Sequence, residues 1–106
     1  MKIYNKLVRD KIPQIVETNG QQCDISFLNE EEYEVALKLK LQEELNEFLQ
    51  AKNVNEQMEE LSDLLEIIYS IAESKGVVRE ELENIRQRKR EERGGFQKRI
   101  MLLTSS

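Results

Sequence analysis

Two acidic stretches with helical periodicity place carboxylates inside apolar stripes, and this placement is what most constrains the fold. The stretches read KLQEELNEF at residues 40–48 and EQMEELSDLL at residues 56–65. At about 100° per residue, Glu44 falls within the apolar arc of the first helix and Glu60 within that of the second. An unpaired carboxylate in an apolar stripe is costly unless a cation, a salt bridge or a proton satisfies it. We therefore expect two adjacent antiparallel helices that bring these acids together.

The hydrophobic pattern predicts a mainly α-helical single domain over residues 1–106. Asn29, which precedes a run of glutamates, is a typical helix N-cap, and Asn55 is the predicted cap of the following helix. The predicted helices cover about residues 11–19, 30–52, 56–74 and 79–92. Alternation at residues 22–28 indicates a short extended segment. The apolar residues 100–103 are expected to dock onto the rest of the protein, for example as a short strand.

Composition narrows the class of protein. With 39% hydrophobic and 35% charged residues, the chain suits long amphipathic helices whose core a second copy could complete. Its formal net charge of -5 argues against a general nucleic-acid binder, which needs a basic surface. A single cysteine, Cys23, excludes an intrachain disulfide. No run is long and apolar enough for a signal peptide or a membrane span, so we expect a cytoplasmic protein without membrane contact.

The absence of histidine restricts the chemistry. With no His in 106 residues, zinc hydrolases, Ser-His-Asp or Cys-His nucleophile pairs and di-iron bundles with Glu-x-x-His ligands are disfavoured. Carboxylate oxygens without imidazole or thiolate favour Mg²⁺, or Mn²⁺, over zinc or copper. Residues three apart share a helical face, so each inward-facing acid has a second carboxylate beside it. The predicted metal ligands are Glu44, Glu47, Glu60 and Asp63.

A second interpretation of the same acids requires no metal. Salt bridges to Lys38, Lys40 or Lys52 could satisfy the carboxylates, or long glutamate side chains could bend out to water. On this interpretation the chain is a non-catalytic helical oligomerisation or regulatory module. The two interpretations differ in whether a divalent cation stabilises the protein.

Two basic clusters stand out in this acidic chain. One lies near the N-terminus and the other precedes Gly94-Gly95. The first cluster is Lys6, Arg9 and Lys11, and the second is Lys89, Arg90 and Arg93. Paired glycines allow a backbone to approach a phosphate closely, and an arginine can bind phosphate in a bidentate manner. A solvated, basic helix end is the alternative explanation for the second cluster.

The order of the acids resembles the EExxE…ExxD pattern of the all-α nucleoside triphosphate pyrophosphohydrolases. Here the pattern reads Glu43-Glu44-x-x-Glu47 followed by Glu60-x-x-Asp63. That superfamily includes MazG-like proteins, dimeric dUTPases and phosphoribosyl-ATP pyrophosphohydrolase. The flanking sequences YNKLVRDKIP at 4–13 and ERGGF at 92–96 look like those of a small MazG-related branch of predicted house-cleaning pyrophosphatases.

This resemblance implies an antiparallel helical bundle whose four-helix core is completed by oligomerisation, as a dimer or a tetramer. It also implies Mg²⁺-dependent cleavage between the α- and β-phosphates of a nucleotide, giving a nucleoside monophosphate and pyrophosphate. The four predicted metal ligands match the metal-binding positions of the family. Glu43 matches an accessory carboxylate, and Glu43 and Glu44 are the catalytic candidates. Candidates for contacts to the triphosphate are Lys6, Arg9, Lys89 and Arg93.

Overall fold

The computed structural model describes residues 2–106, and its regular secondary structure in that range is entirely helical. This confirms the mainly α-helical prediction. The elements are α1 (Ile12–Thr18), α2 (Glu30–Gln50), α3 (Val54–Ser74) and α4 (Arg79–Arg93). No strand forms within the described range. Residues 22–28 have no strand partner, and the tail from Ile100 to Leu103 lies exposed, so the prediction that it docks is wrong for the single chain.

Helix α2 begins at a reciprocal capping box. The backbone N–H of Glu32 donates to Asn29 Oδ1 over 2.9 Å, and the backbone N–H of Asn29 donates to Glu32 Oε1 over 3.0 Å. These bonds satisfy two amides that would otherwise lack partners at the helix start. The cap predicted at Asn29 is therefore confirmed.

Helix α3 begins earlier than predicted. Its N-cap is Asn53, whose Oδ1 accepts the backbone N–H of Glu56 over 2.9 Å. Asn55 lies inside the first turn, so its assignment as the cap was wrong. The physical reason is that α2 ends at Gln50 and Ala51 is extended, which leaves Asn53 with the non-helical backbone that a cap requires.

The helices α2 and α3 form an antiparallel hairpin that carries the core. A three-residue connection joins them, which is typical of antiparallel neighbours. Leu37 of α2 and Ile67 of α3 are the buried hydrophobic residues in the described part of the chain. Glu44 is the buried charged residue, at 6% exposure. The hairpin therefore encloses one of the acids that the sequence placed inside the apolar stripe.

Helix α4 contacts the C-terminal half of α3. A groove between them is lined by apolar residues that include Ile68, Ile71, Leu82 and Ile85. Within residues 2–106, none of the helices combines the length and apolarity needed to cross a bilayer. The architecture is thus a two-helix hairpin with a third long helix attached at one end.

Candidate metal centre

The five carboxylates singled out by the sequence converge in the hairpin. Oxygen atoms of Glu43, Glu44 and Glu47 lie within 4.8 Å of one another, and so do those of Glu44, Glu60 and Asp63. Glu44 belongs to both groups and joins them. The three-residue spacings put each set on one helical face, and the antiparallel hairpin brings the two faces together.

Two oxygens in this cluster lack a hydrogen-bond donor. Glu44 Oε2 and Glu60 Oε2 are both buried without a partner. Buried carboxylate oxygens are normally bonded, and an orphaned one carries the full cost of its lost hydration. A cation bound between the helices would give both oxygens a partner. The two unpartnered oxygens therefore support a bound cation, and this observation is independent of the spacing of the acids along the helices.

Lys40 partly neutralises the cluster from within α2. Its Nζ lies 3.1 Å from Glu43 Oε2 and 3.5 Å from Glu44 Oε1. Among the three lysines considered for salt bridges, Lys40 reaches the cluster, whereas Lys38 pairs with Glu34 over 3.4 Å. Lys40 was not among the predicted site residues. Its spacing of three and four residues to Glu43 and Glu44 nevertheless predicts these ion pairs, because residues so spaced share a helical face.

The N-terminal segment supplies two further cations. Lys6 Nζ donates to Glu43 Oε1 over 3.1 Å, and Arg9 Nη2 donates to Asp63 Oδ1 over 2.6 Å. Since Glu43 lies on α2 and Asp63 on α3, the segment crosses the hairpin at the carboxylate cluster. The structure therefore brings two of the four predicted phosphate-binding side chains to the candidate site.

The other two predicted phosphate-binding residues lie elsewhere. Lys89 and Arg93 are exposed and form no ion pair with the cluster within residues 2–106. The reason is topological. Helix α4 contacts the C-terminal half of α3, whereas Glu60 and Asp63 occupy the N-terminal half. In the single chain, Lys89 and Arg93 remain candidates on sequence grounds alone.

Hydrogen-bonding contacts between carboxyl groups, together with burial, change the proton affinity of the cluster. The hydrogen-bonding contact with Glu44, burial and the neighbouring Glu47 raise the pKa of Glu60 to about 7. The contact with Glu44, and then burial, also raise the pKa of Glu47. Protons therefore compete with any cation for Glu60 near neutral pH, and Glu47 also holds its proton more tightly than an ordinary glutamate.

The pKa of Glu43 is shifted in the opposite direction. Burial disfavours its ionised form, but hydrogen bonds from Lys6 and Lys40 outweigh burial and hold the pKa of Glu43 below its ordinary value. The same hydrogen bond and charge raise the pKa of Lys6. Glu43 thus remains ionised, whereas Glu47 and Glu60 hold their protons more tightly than ordinary glutamates.

The charge count leaves room for a divalent ion. Five carboxylates face three cationic side chains, which leaves a formal excess of two negative charges when all groups are ionised. The donor atoms are all carboxylate oxygens, which suit Mg²⁺ or Mn²⁺ better than softer metals.

No protein-family model, curated protein or solved structure matches this chain. The functional assignment therefore depends on the geometry of the carboxylates and on the sequence pattern that contains them.

Proposed function

We propose that the chain is a Mg²⁺-dependent nucleotide pyrophosphohydrolase that cleaves between the α- and β-phosphates. The observation that carries the proposal is the pair of buried, unpartnered oxygens on Glu44 and Glu60, next to cationic side chains that can bind phosphate. The acidic pattern supports it, because its order resembles that of the MazG-like pyrophosphohydrolases.

In this proposal the four carboxylates Glu44, Glu47, Glu60 and Asp63 hold the cation, with Mn²⁺ as a possible replacement for Mg²⁺. A bound divalent ion supplies charge withdrawal from the phosphates of the substrate and orientation of the attacking water. The protein contributes the converging oxygens and the burial that strengthens their attraction for the ion.

Glu43 and Glu44 are the proposed catalytic carboxylates. Lys6 and Lys40 keep Glu43 ionised, so this side chain can accept a hydrogen bond from the attacking water and orient it. As a weak base, it takes up the proton only when the water oxygen bonds to the α-phosphorus and becomes strongly acidic. Such a base is consistent with a chain that contains no histidine. The proton then leaves through the half-buried Glu43 carboxylate to solvent.

Lys6 and Arg9 are the proposed phosphate-binding residues. Both side chains are about half exposed, at 44% and 55%, so they can turn from the carboxylates to an incoming triphosphate. An arginine can bind two phosphate oxygens at once, and both cations would stabilise the charge that builds on the pyrophosphate leaving group.

The ion pairs of this segment also favour a second candidate function. In a non-catalytic helical module, Lys6–Glu43 and Arg9–Asp63 would fasten the N-terminal segment to the hairpin as structural salt bridges. That function leaves only a proton shared between Glu44 and Glu60 as a partner for the two orphaned oxygens, whereas a divalent cation would also neutralise the excess negative charge, which is why we place it second.

A panel of nucleoside triphosphates, assayed with Mg²⁺ for pyrophosphate and for orthophosphate, tests the proposal. We expect pyrophosphate and a monophosphate from the wild type and from Glu59→Gln, whose carboxylate is exposed on α3. We expect Glu60→Gln to abolish turnover while the helical circular dichroism stays unchanged. Release of orthophosphate alone, or equal activity in both variants, would contradict the proposal.

A further inference from the structure

The carboxylate cluster consists of two groups of three side chains that share Glu44. One group lies entirely on α2, and we call it the α2 group. The other joins α2 to α3, and we call it the bridging group. The α2 group is Glu43, Glu44 and Glu47, and the bridging group is Glu44, Glu60 and Asp63. Two such groups could hold two divalent ions, as in enzymes in which a pair of metals acts together. The groups differ, however, in the cations that already contact them.

In the α2 group, the carboxylate of Glu43 has a cation at each of its oxygens. Lys6 Nζ lies 3.1 Å from Glu43 Oε1, and Lys40 Nζ lies 3.1 Å from Glu43 Oε2. Lys40 Nζ also lies 3.5 Å from Glu44 Oε1. The ammonium group of Lys40 therefore contacts one oxygen of each of two members of the α2 group, as a metal ion shared by them would.

The bridging group has the opposite arrangement. Within residues 2–106, Glu44 Oε2 and Glu60 Oε2 are buried and receive no hydrogen bond. The cation that contacts this group is Arg9, which pairs with Asp63 from the N-terminal segment and is about half exposed. The two oxygens of Glu44 thus differ, because Oε1 contacts the ammonium group of Lys40 and Oε2 has no partner.

The balance of charge distinguishes the two groups in the same way. With Glu44 counted in both, Lys6 and Lys40 reduce the three negative charges of the α2 group to one. Arg9 reduces the three negative charges of the bridging group to two. One divalent ion therefore neutralises the bridging group, whereas a second ion in the α2 group would lie beside an ammonium group and leave an excess of positive charge.

Lys40 is also the cation that is held most firmly at the cluster. Its side chain is 19% exposed, whereas those of Lys6 and Arg9 are about half exposed. Lys6 and Arg9 belong to a segment without regular secondary structure and can turn to a substrate. Lys40 lies on the same helix as both of its partners, three and four residues before them, and would have to leave both carboxylates to move away.

We propose that Lys40 is a resident cation at a second metal position, so that the chain binds one divalent ion, in the bridging group, rather than two; this inference rests on the metal centre of the proposed function. Glu47 has a hydrogen-bonding contact with both Glu44 and Glu60, so it can serve as the fourth ligand of that ion. Lys40 is then a positioning residue, because its ammonium group keeps Glu43 outside the ligands of the metal. A carboxylate that does not bind the metal is able to orient the attacking water.

Titration of Mn²⁺ into the intact chain at about pH 8, with the free ion measured by paramagnetic resonance, counts the bound ions. We expect one ion per chain for the wild type and two for Lys40→Met, which removes the ammonium group and keeps a side chain of similar length. Lys40→Arg restores a cation and should return the count to one. The matched control is Lys38→Met. Lys38 is 67% exposed and pairs with Glu34, so the loss of its charge should leave one ion bound.

The unfolding midpoint provides a second measurement on the same proteins. In chelator, Lys40→Met should be less stable than the wild type, because Glu43 and Glu44 lose the cation that they share. Mn²⁺ should raise the midpoint of this variant more than that of the wild type, because two ions then bind the folded state. An equal rise in both proteins would count against a second metal position. If Lys40→Met loses its helical circular dichroism, Lys40→Gln, which keeps a polar end, gives the same comparison.

The contrary results separate this proposal from the proposed function. Two ions bound by the wild type would overturn the role of Lys40, and so would a single ion bound by Lys40→Met. Release of pyrophosphate would still support the proposed function in either case. One ion in the wild type and two in Lys40→Met, without pyrophosphate from any nucleotide, would support the role of Lys40 and overturn the proposed hydrolysis. A wild type that binds no ion would overturn both.

Discussion

Glu44 and Glu60 lie on adjacent antiparallel helices and each buries an Oε2 atom that receives no hydrogen bond. Lys40 reaches the other oxygen of Glu44, at 3.5 Å. Replacing either glutamate by a neutral residue would relieve the repulsion between the two carboxylates, yet the sequence has both. A destabilising arrangement of this kind is typical of a site that is built for a ligand.

Glu44→Gln is expected to stabilise the protein when no divalent cation is present. The amide removes the like-charge repulsion and retains the shape of the side chain, so we expect a gain on the order of 1 kcal/mol in the free energy of unfolding. Urea unfolding in a chelator at about pH 8 measures it. Glu59→Gln, on an exposed carboxylate of α3, should change little. A variant less stable than the wild type in chelator would refute this prediction.

The stability of the metal-free protein should fall as the pH rises through the titration range of Glu60. Its pKa in the folded chain is about 7, raised from 4.5. Between these values the folded state keeps a proton that the unfolded state has lost, so increasing pH favours unfolding. The contribution is complete below about pH 4.5 and is lost above about pH 7.

Unfolding midpoints across this pH range, in chelator, measure the effect. Glu60→Gln should make the profile shallower, because the amide does not titrate, while Glu47, whose pKa is also raised, keeps a contribution of the same sign. Glu43 does not obscure the effect of Glu60 on stability. The pKa of Glu43 is lowered, so its own contribution to stability changes at more acidic pH. An unchanged slope in Glu60→Gln would show that this carboxyl does not carry the proton.

Added Mg²⁺ should stabilise the wild type more at about pH 8 than at about pH 5.5, because the ion and the proton compete for the same carboxylates.

The N-cap assignment can be tested with two neighbouring asparagines. Asn53→Ala should cost about 1 kcal/mol, because the amide of Glu56 loses its acceptor. Asn55→Ala should cost much less, since Asn55 lies within the first turn of α3. Urea unfolding of the two variants under one condition gives the comparison. Equal losses would mean that Asn53 is not the cap.

Local patterns in the sequence predicted the helices and the inward-facing acids. The cap at Asn29 and the inward position of Glu44 follow from spacing along a single helix, which a sequence displays directly. The choice of Asn53 over Asn55 depends on where the preceding helix ends, which propensity alone does not determine.

Contacts between distant segments were harder to predict. The pairing of Arg9 with Asp63 joins residues far apart in the chain, and no periodicity indicates it. The spacing of the apolar residues of α2 fits one broad stripe. Their division into a covered side and an exposed side depends on where α3 lies. The tail from Ile100 was expected to dock because it is apolar, but apolarity does not specify a partner.

Arg9→Gln is expected to weaken nucleotide binding without weakening the cation site. Loss of a charge-assisted hydrogen bond to phosphate costs about 1.5–3 kcal/mol, which corresponds to roughly a 10- to 150-fold higher KM. Asp63 loses its cationic partner in this variant, so the affinity for Mg²⁺ should stay the same or increase. Arg88→Gln, on an exposed arginine of α4 that is not among the phosphate-binding candidates, is the matched control and should leave the KM unchanged. An unchanged KM in Arg9→Gln would remove Arg9 from the phosphate-binding residues.

Binding of Mn²⁺ followed by the paramagnetic resonance signal of the free ion tests the central claim most directly. The wild type at about pH 8 should bind the ion and reduce this signal, because the carboxylates are then ionised. Glu44→Gln and Glu60→Gln should bind much less, whereas Glu59→Gln should bind as the wild type does. A wild type that leaves the signal of free Mn²⁺ unchanged, or equal binding in all four proteins, would contradict a metal centre between α2 and α3.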